Sequence, residues 1–169
     1  MATLIDVYFK GLKILIAVFL AAMTVLVFGN VFLRYAFNSG ITVSEELSRW
    51  LFVWLVFLGA IVGMREHAHL GMDTFIRPMP APVKRACFVM SQTLMLYATV
   101  LIIKGSWDQT KLNWDVTAPA SGLSMAWFYG IGLLFGVSVA AILLHDLWRA
   151  LRGELREDEL VAIKESEEH

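Results

Sequence analysis

The sequence is poor in charge, cysteine and proline, and these shortages restrict its class. Of its 169 residues, 17% are charged and 58% are apolar, with four prolines and one cysteine. The single cysteine, Cys87, excludes an intrachain disulfide, and a small packing residue is the expected role. Four segments contain no Asp, Glu, Lys, Arg or His: residues 14–33, 50–64, 86–103 and 116–144. This composition excludes an ordinary soluble domain.

Each uncharged segment approaches the length of a membrane-spanning helix, which is about 20 residues. We therefore predict an all-α integral membrane protein with four transmembrane helices in one domain. The expected spans are about residues 12–35, 44–66, 84–104 and 122–148, followed by a charged tail, 149–169.

The second uncharged segment is the shortest and must borrow length from its flanks. Ser44 is a suitable N-cap, and Glu45 and Glu46 suit a helix N-terminus. The helix is therefore predicted to begin near Ser44 and to end near Glu66. This placement puts the Glu45, Glu46 and Arg49 charges at the membrane–water boundary.

Basic residues predict the orientation of the spans. Nine lysines and arginines flank the spans on the side of the two termini, against four on the other side. The positive-inside rule then places both termini in the cytoplasm. The apolar face of residues 68–79 predicts a short interfacial helix between spans 2 and 3, ended by "PMPAP".

The spans lack the residues that catalysis, cofactor binding or ion transport requires. They contain only modest polar residues, for which we expect helix–helix hydrogen bonds, and the chain has no nucleotide-binding loop and no nucleophile with a base. A haem anchor would need midspan histidine pairs, and a self-sufficient exporter would need a midspan carboxylate. We predict no enzyme activity, no cofactor and no metal; His67 and His69 are interpreted as part of a juxtamembrane turn.

Helical spacing divides the second span into two faces. One face carries Gly59 and Gly63 in a small-xxx-small pattern and includes a possible Glu45–Arg49 pair, so we expect it to pack closely. The opposite face is expected to contact lipid or another subunit. Its aromatic stripe consists of Trp50, Trp54, Phe57 and Ile61.

Close packing and docking are also expected elsewhere. Gly132 and Gly136 repeat the small-xxx-small pattern in the last span, which favours a compact bundle. That span is expected to start after Pro119 and Gly122, capped by Ser121 or Ser124, with residues 116–120 re-entrant or interfacial. On the outer side, the acidic pair could be balanced by Arg34 and Arg49 within the chain, or part of the cluster could be offered to a partner. The candidate docking residues are Arg34, Lys104 and Lys111.

The sequence resembles the small membrane subunit, DctQ-like, of tripartite ATP-independent periplasmic (TRAP) transporters. The resemblance is centred on "EELSRWLFVWLVFLGA", continues through "MREHAHLGMD" and ends with "APASGLSMAWFY". It covers nearly the whole chain, and its central motif is the most specific part.

The resemblance implies a location and a set of partners. It implies the bacterial inner membrane, a large membrane subunit of about a dozen spans that moves as a sodium-coupled elevator, and a periplasmic binding protein that delivers an organic acid. The small subunit would be a scaffold in the lipid bilayer and part of the docking surface. Nothing in the sequence indicates nucleic-acid binding. A four-helix adaptor of another inner-membrane complex is the alternative.

Overall fold

The computed structural model describes residues 2–65 and 80–152 and confirms the predicted all-α class with four membrane-length helices. We label the helices α1 (Ala2–Phe37), α2 (Thr42–Arg65), α3 (Ala81–Leu112) and α4 (Ala126–Arg152). The expected interfacial helix, His67 and His69 lie outside the described residues, as does the tail beyond Arg152.

The connection between α1 and α2 corrects the expected N-cap of α2. Asn38 adopts a left-handed conformation, with φ of 51°, directly after α1 ends. The carbonyl of Ile41 accepts the N–H groups of Ser44 and Glu45, so α2 begins before Ser44. Ser44 is therefore not the N-cap, because its hydroxyl donates instead to the Leu26 carbonyl of α1 at 2.8 Å.

The connection between α3 and α4, which contains the expected re-entrant or interfacial residues 116–120, is a folded loop. Thr117 and Ser124 form an isolated antiparallel bridge, and Gly122 has a φ of 71°. Ser124 is the serine that caps α4, because its Oγ accepts the Ala126 N–H at 3.2 Å. The other candidate, Ser121, contacts α2 instead.

The helices pack in the order α1, α2, α4, α3, so α2 and α4 are the inner helices. The core lies mainly between α1, α2 and α4. Its largest fully buried side chains are Leu58, Ile61, Ile131 and Leu143. The connections 38–41 and 113–125 lie together at what we call the hairpin end; the opposite end, with Arg65 and Arg152, is the terminal end.

The aromatic stripe of α2 packs inside the chain, so the expectation that it faces lipid or another subunit was wrong. The Trp54 ring meets Phe19 of α1 at 6.3 Å between centroids. The Phe57 ring meets Phe135 of α4 at 5.2 Å. Ile61 has no exposed surface. Large side chains fill the space between three helices, whereas glycines on this face would leave it empty.

The two glycine patterns differ in their surroundings. A Cβ at Gly136 would overlap Ile103 Cγ1, and one at Gly132 would overlap Ser106 Oγ, so α4 approaches α3 closely at both positions. Among the described residues, a Cβ at Gly59 or Gly63 would meet nothing within 4 Å. The predicted close packing of the α2 glycine face therefore does not occur between the described helices, because α1 and α4 contact other faces of α2.

Candidate functional site

The most elaborate polar site lies at the hairpin end, where Glu46 holds the α3–α4 loop against α2. Its carboxylate accepts the backbone N–H of Ala120 at 3.0 Å and of Ser121 at 3.2 Å. It also accepts the Ser121 hydroxyl. Three donors from one loop converge on one carboxylate, so Glu46 fixes the position of this loop relative to α2.

Its neighbour Glu45 is bound to α1. The Glu45 carboxylate accepts the side-chain amide of Asn30 at 3.0 Å and lies 3.9 Å from the Arg34 guanidinium. Asn30 is 6% exposed, and its Oδ1 accepts the Ile41 N–H at 2.7 Å. Asn30 thus connects the end of α1, the turn and the start of α2.

The expected Glu45–Arg49 ion pair is not formed among the described residues. The spacing does place both side chains on one side of α2, but Asn30 and Arg34 of α1 reach Glu45 from the neighbouring helix. An i,i+4 pair on a helix surface contributes only a few tenths of a kcal/mol, so a competing contact easily replaces it.

Arg49 faces an open cleft between the start of α2 and the α3–α4 loop. The cleft has a volume of about 530 Å³. Its lining consists of Thr42, Val43, Glu45, Glu46, Arg49, Pro119 and Ala120. In the part of the chain that the structure describes, the Arg49 guanidinium makes no hydrogen bond, but it lies close enough to the Glu46 carboxylate for a Coulombic attraction, and the residue is exposed. The cleft therefore presents a cation beside a loop that Glu46 holds in place.

The other candidate docking residues are not brought together. Arg34 lies beside Glu45, with a side chain 55% exposed. Lys104 and Lys111 lie on α3, at the far edge of the helix row, and the Lys111 ammonium lies 4.8 Å from the centroid of the Trp107 ring. Arg34 and Arg49 lie with Glu45 and Glu46 at the hairpin end, and we call these four described residues the hairpin-end cluster.

A second polar contact, at the terminal end, was not predicted. The Arg65 guanidinium of α2 donates to the Asp6 carboxylate of α1 and lies 4.1 Å from the centroid of the Phe9 ring. Asp6 and Arg65 are too far apart in sequence for spacing to reveal the pair. With the Asn30–Glu45 contact, it links α1 to α2 at both ends.

The expected helix–helix hydrogen bonds of the midspan polar residues form at Ser138, whereas three threonines bond within their own helices. Thr24, Thr93 and Thr99 each donate to the carbonyl four residues earlier. The Tyr8–Ser138 contact, at 2.9 Å, does cross between α1 and α4. Gln92 is 8% exposed, and its Oε1 has no hydrogen-bond partner among the described residues.

Comparison with known proteins identifies the chain. Residues 23–153 match the family described as "Tripartite ATP-independent periplasmic transporters, DctQ component". A Haemophilus influenzae protein named as a TRAP transporter small permease is 40% identical over 87% of this chain and 94% of its own length. The Vibrio cholerae C4-dicarboxylate TRAP transporter small permease protein DctQ is 36% identical over 57% of this chain and 41% of its own length.

The match covers α2, α3 and α4 in full and the last part of α1, including the hairpin-end cluster and the loop that Glu46 binds. Members of this family are permease subunits without catalytic activity, in agreement with the prediction that the chain is not an enzyme. Four apolar helices of membrane length make it a multi-pass membrane protein. The chain belongs to the DctQ family, the small permease subunits of TRAP transporters.

Proposed function

We propose that this chain is the fixed small subunit of a sodium-coupled, binding-protein-dependent transporter for carboxylates. It supports a large elevator-type membrane subunit in the bacterial inner membrane, with both termini in the cytoplasm. The hairpin end then faces the periplasm and forms part of the docking surface for the binding protein. A Vibrio cholerae relative is named for C4-dicarboxylates, which supports carboxylates as the substrate class.

The single observation that carries the docking role is the geometry around Glu46. Its carboxylate binds three donors of the α3–α4 loop, which leaves Arg49 beside a cleft of about 530 Å³. A surface that must accept a partner repeatedly benefits from a fixed shape, because less conformational entropy is lost on binding. Arg49 offers a planar guanidinium suited to a carboxylate of the partner.

The scaffold role is supported by what the helices leave exposed. Only 6% of the most apolar window of α1 and 11% of that of α3 is buried within the chain, against 28% for α2 and for α4. The glycine face of α2 is also open, with Phe52 53% exposed and Val56 49% exposed. These apolar surfaces are therefore available for contact with lipid and with a larger membrane subunit.

The docking role is tested by Arg49→Gln, with Lys111→Gln as the matched control. Both residues are exposed cations toward the hairpin end, but Lys111 lies on α3 away from the cleft. Complex yield with the large subunit and uptake driven by the binding protein are measured on the same preparations.

We expect Arg49→Gln to assemble normally and to lose uptake, while Lys111→Gln retains both. Normal uptake by Arg49→Gln would refute docking through Arg49. Loss of the complex itself in Arg49→Gln would show that Arg49 serves assembly instead.

A further inference from the structure

Contacts between neighbouring helices fix their register to within about one helical turn, which allows positions on different helices to be compared by height. Between α1 and α2, contacts join Asp6 to Arg65 at the terminal end and Asn30 to Glu45 at the hairpin end. The two contacts are 24 residues apart on α1 and 20 residues apart on α2, so the two helices run antiparallel with a slippage of about one turn.

The inner helices, α2 and α4, also share a register. Trp50 of α2 meets Phe128 of α4, and Phe57 meets Phe135, so the second contact lies the same number of residues further along both helices. The pair therefore runs parallel, and residues of α2 can be assigned to heights on α4.

The last pair, α3 and α4, runs antiparallel. Ile103 lies against Gly136, and Ser106 lies against Gly132. Together these contacts relate every height on α1 to a height on α3.

The apolar segments of the two outer helices lie at different heights. The uncharged segment 14–33 of α1 occupies heights toward the hairpin end, whereas 86–103 of α3 occupies heights toward the terminal end. Lys13, at the terminal-end limit of the α1 segment, is level with Leu101, near the hairpin-end limit of the α3 segment. The apolar segments of α2 and α4 lie between these two.

The displacement has the same direction at both limits of the apolar segments. Arg34 of α1 lies nearer the hairpin end than Lys104 of α3, and Lys13 of α1 lies nearer the hairpin end than Arg85 of α3. A single misplaced charge would shift one limit only. We propose that the bilayer crosses the four-helix row obliquely, so that a slanted band of exposed apolar side chains meets the hydrocarbon.

The size of the tilt follows from helix geometry. The centres of the α1 and α3 apolar segments differ in height by about 17 residues, or roughly 25 Å at about 1.5 Å per residue. Three steps between neighbouring helices at about 8–10 Å each separate α1 from α3 by at most about 27 Å, because the Tyr8–Ser138 contact brings α1 towards α4 and curves the row. The helix axes are therefore inclined by at least about 40° to the membrane normal, at the upper end of the range for transmembrane helices.

Helix length and exposed surface are consistent with this inclination. The candidate spans in α1 and α3 contain 33 and 31 residues, more than the about 20 that an upright helix needs. At the height at which α3 exposes Asp108, α1 exposes Leu20, which is 50% exposed. Lipid next to α1 and water next to α3 at similar heights account for this difference.

The proposal is tested with pairs of single cysteines at equal height, in a background where Cys87 is alanine. One pair is Val7 on α1 and Leu94 on α3, 64% and 62% exposed. The other is Leu20 on α1, 50% exposed, and Asp108 on α3, which is also exposed. Each cysteine carries a nitroxide, and power saturation compares collisions with oxygen and with a water-soluble nickel chelate in liposomes.

We expect Leu20 and Leu94 to favour oxygen and Val7 and Asp108 to favour the nickel chelate. Equal depth within each pair would overturn the proposal, because an upright row places the two members of a pair in the same layer. Infrared dichroism of the unsubstituted chain in oriented bilayers measures the helix inclination without any substitution that could cause misfolding. We expect a helix order parameter of about 0.4 or less. A value of about 0.8, which corresponds to the average tilt of about 20°, would also overturn the proposal.

Discussion

Substitution of Gly136 by alanine tests the close approach of α4 to α3. The added Cβ would overlap Ile103 Cγ1 and lie 3.3 Å from its Cδ1 and 3.6 Å from its Cα. Ile103 is branched at Cβ, so its χ1 has few alternatives in a helix. The clash therefore cannot be relieved by a side chain alone, and the two helices must separate.

The expected loss of stability combines two opposing effects. Overpacking a well-packed site costs about 1–3 kcal/mol. Replacing glycine by alanine within a helix gains up to about 1 kcal/mol. We expect a net loss of about 1–2 kcal/mol for Gly136→Ala. Gly59→Ala should show only the gain in stability from helix propensity, because none of the described residues lies within 4 Å of its added Cβ.

Reversible unfolding of the purified chain in detergent, followed by tryptophan fluorescence, measures both variants. Gly59→Ala is the matched control, since it makes the same chemical change in a helix of the same protein. The double variant Gly136→Ala with Ile103→Ala adds a rescue test, in which removal of the overlapping atoms should recover part of the loss.

Equal stability of Gly136→Ala and Gly59→Ala would refute the assignment of this glycine to a helix contact. A double variant less stable than the sum of its single changes would also contradict it, because the two side chains would then not be in conflict.

Four further predictions concern polar residues and transport. Glu46→Gln should speed hydrogen exchange of the Ala120 and Ser121 backbone amides, which donate to the Glu46 carboxylate, and Glu45→Gln is the control. Unchanged exchange would show that Glu46 does not hold the α3–α4 loop in place. Asp6→Asn should lower the free energy of unfolding in detergent by only about 0–1 kcal/mol, because the Asp6 side chain is 64% exposed and Arg65 keeps its contact with Phe9. A larger loss would mean that the Asp6–Arg65 pair is buried. Gln92→Leu should raise stability by about 1–2 kcal/mol in the same assay, because it removes a buried oxygen without a partner, and a loss would reveal a hidden donor. The isolated chain in liposomes with a sodium gradient should accumulate no organic acid, and uptake above protein-free vesicles would contradict a non-transporting subunit.

The sequence by itself determined the class of the protein. Four uncharged segments of near-membrane length predict helices, because in a helix the backbone N–H and C=O groups find hydrogen-bond partners within their own segment and need none from the hydrocarbon. The "EELSRW" motif and its continuation likewise carried the family resemblance. Spacing also identified Gly132 and Gly136 as small residues on one face, where the structure brings α4 close to α3.

Only the tertiary structure decided which faces meet and which charges pair. The glycine face and the aromatic face of α2 have equally regular spacing, yet the aromatic face lies in the core and Gly59 stays open. Glu45 contacts Asn30 instead of Arg49 because α1 reaches it from the neighbouring helix. Helical periodicity describes one helix at a time, whereas contacts such as Asp6–Arg65 and the relative heights of α1 and α3 depend on how separate helices pack together.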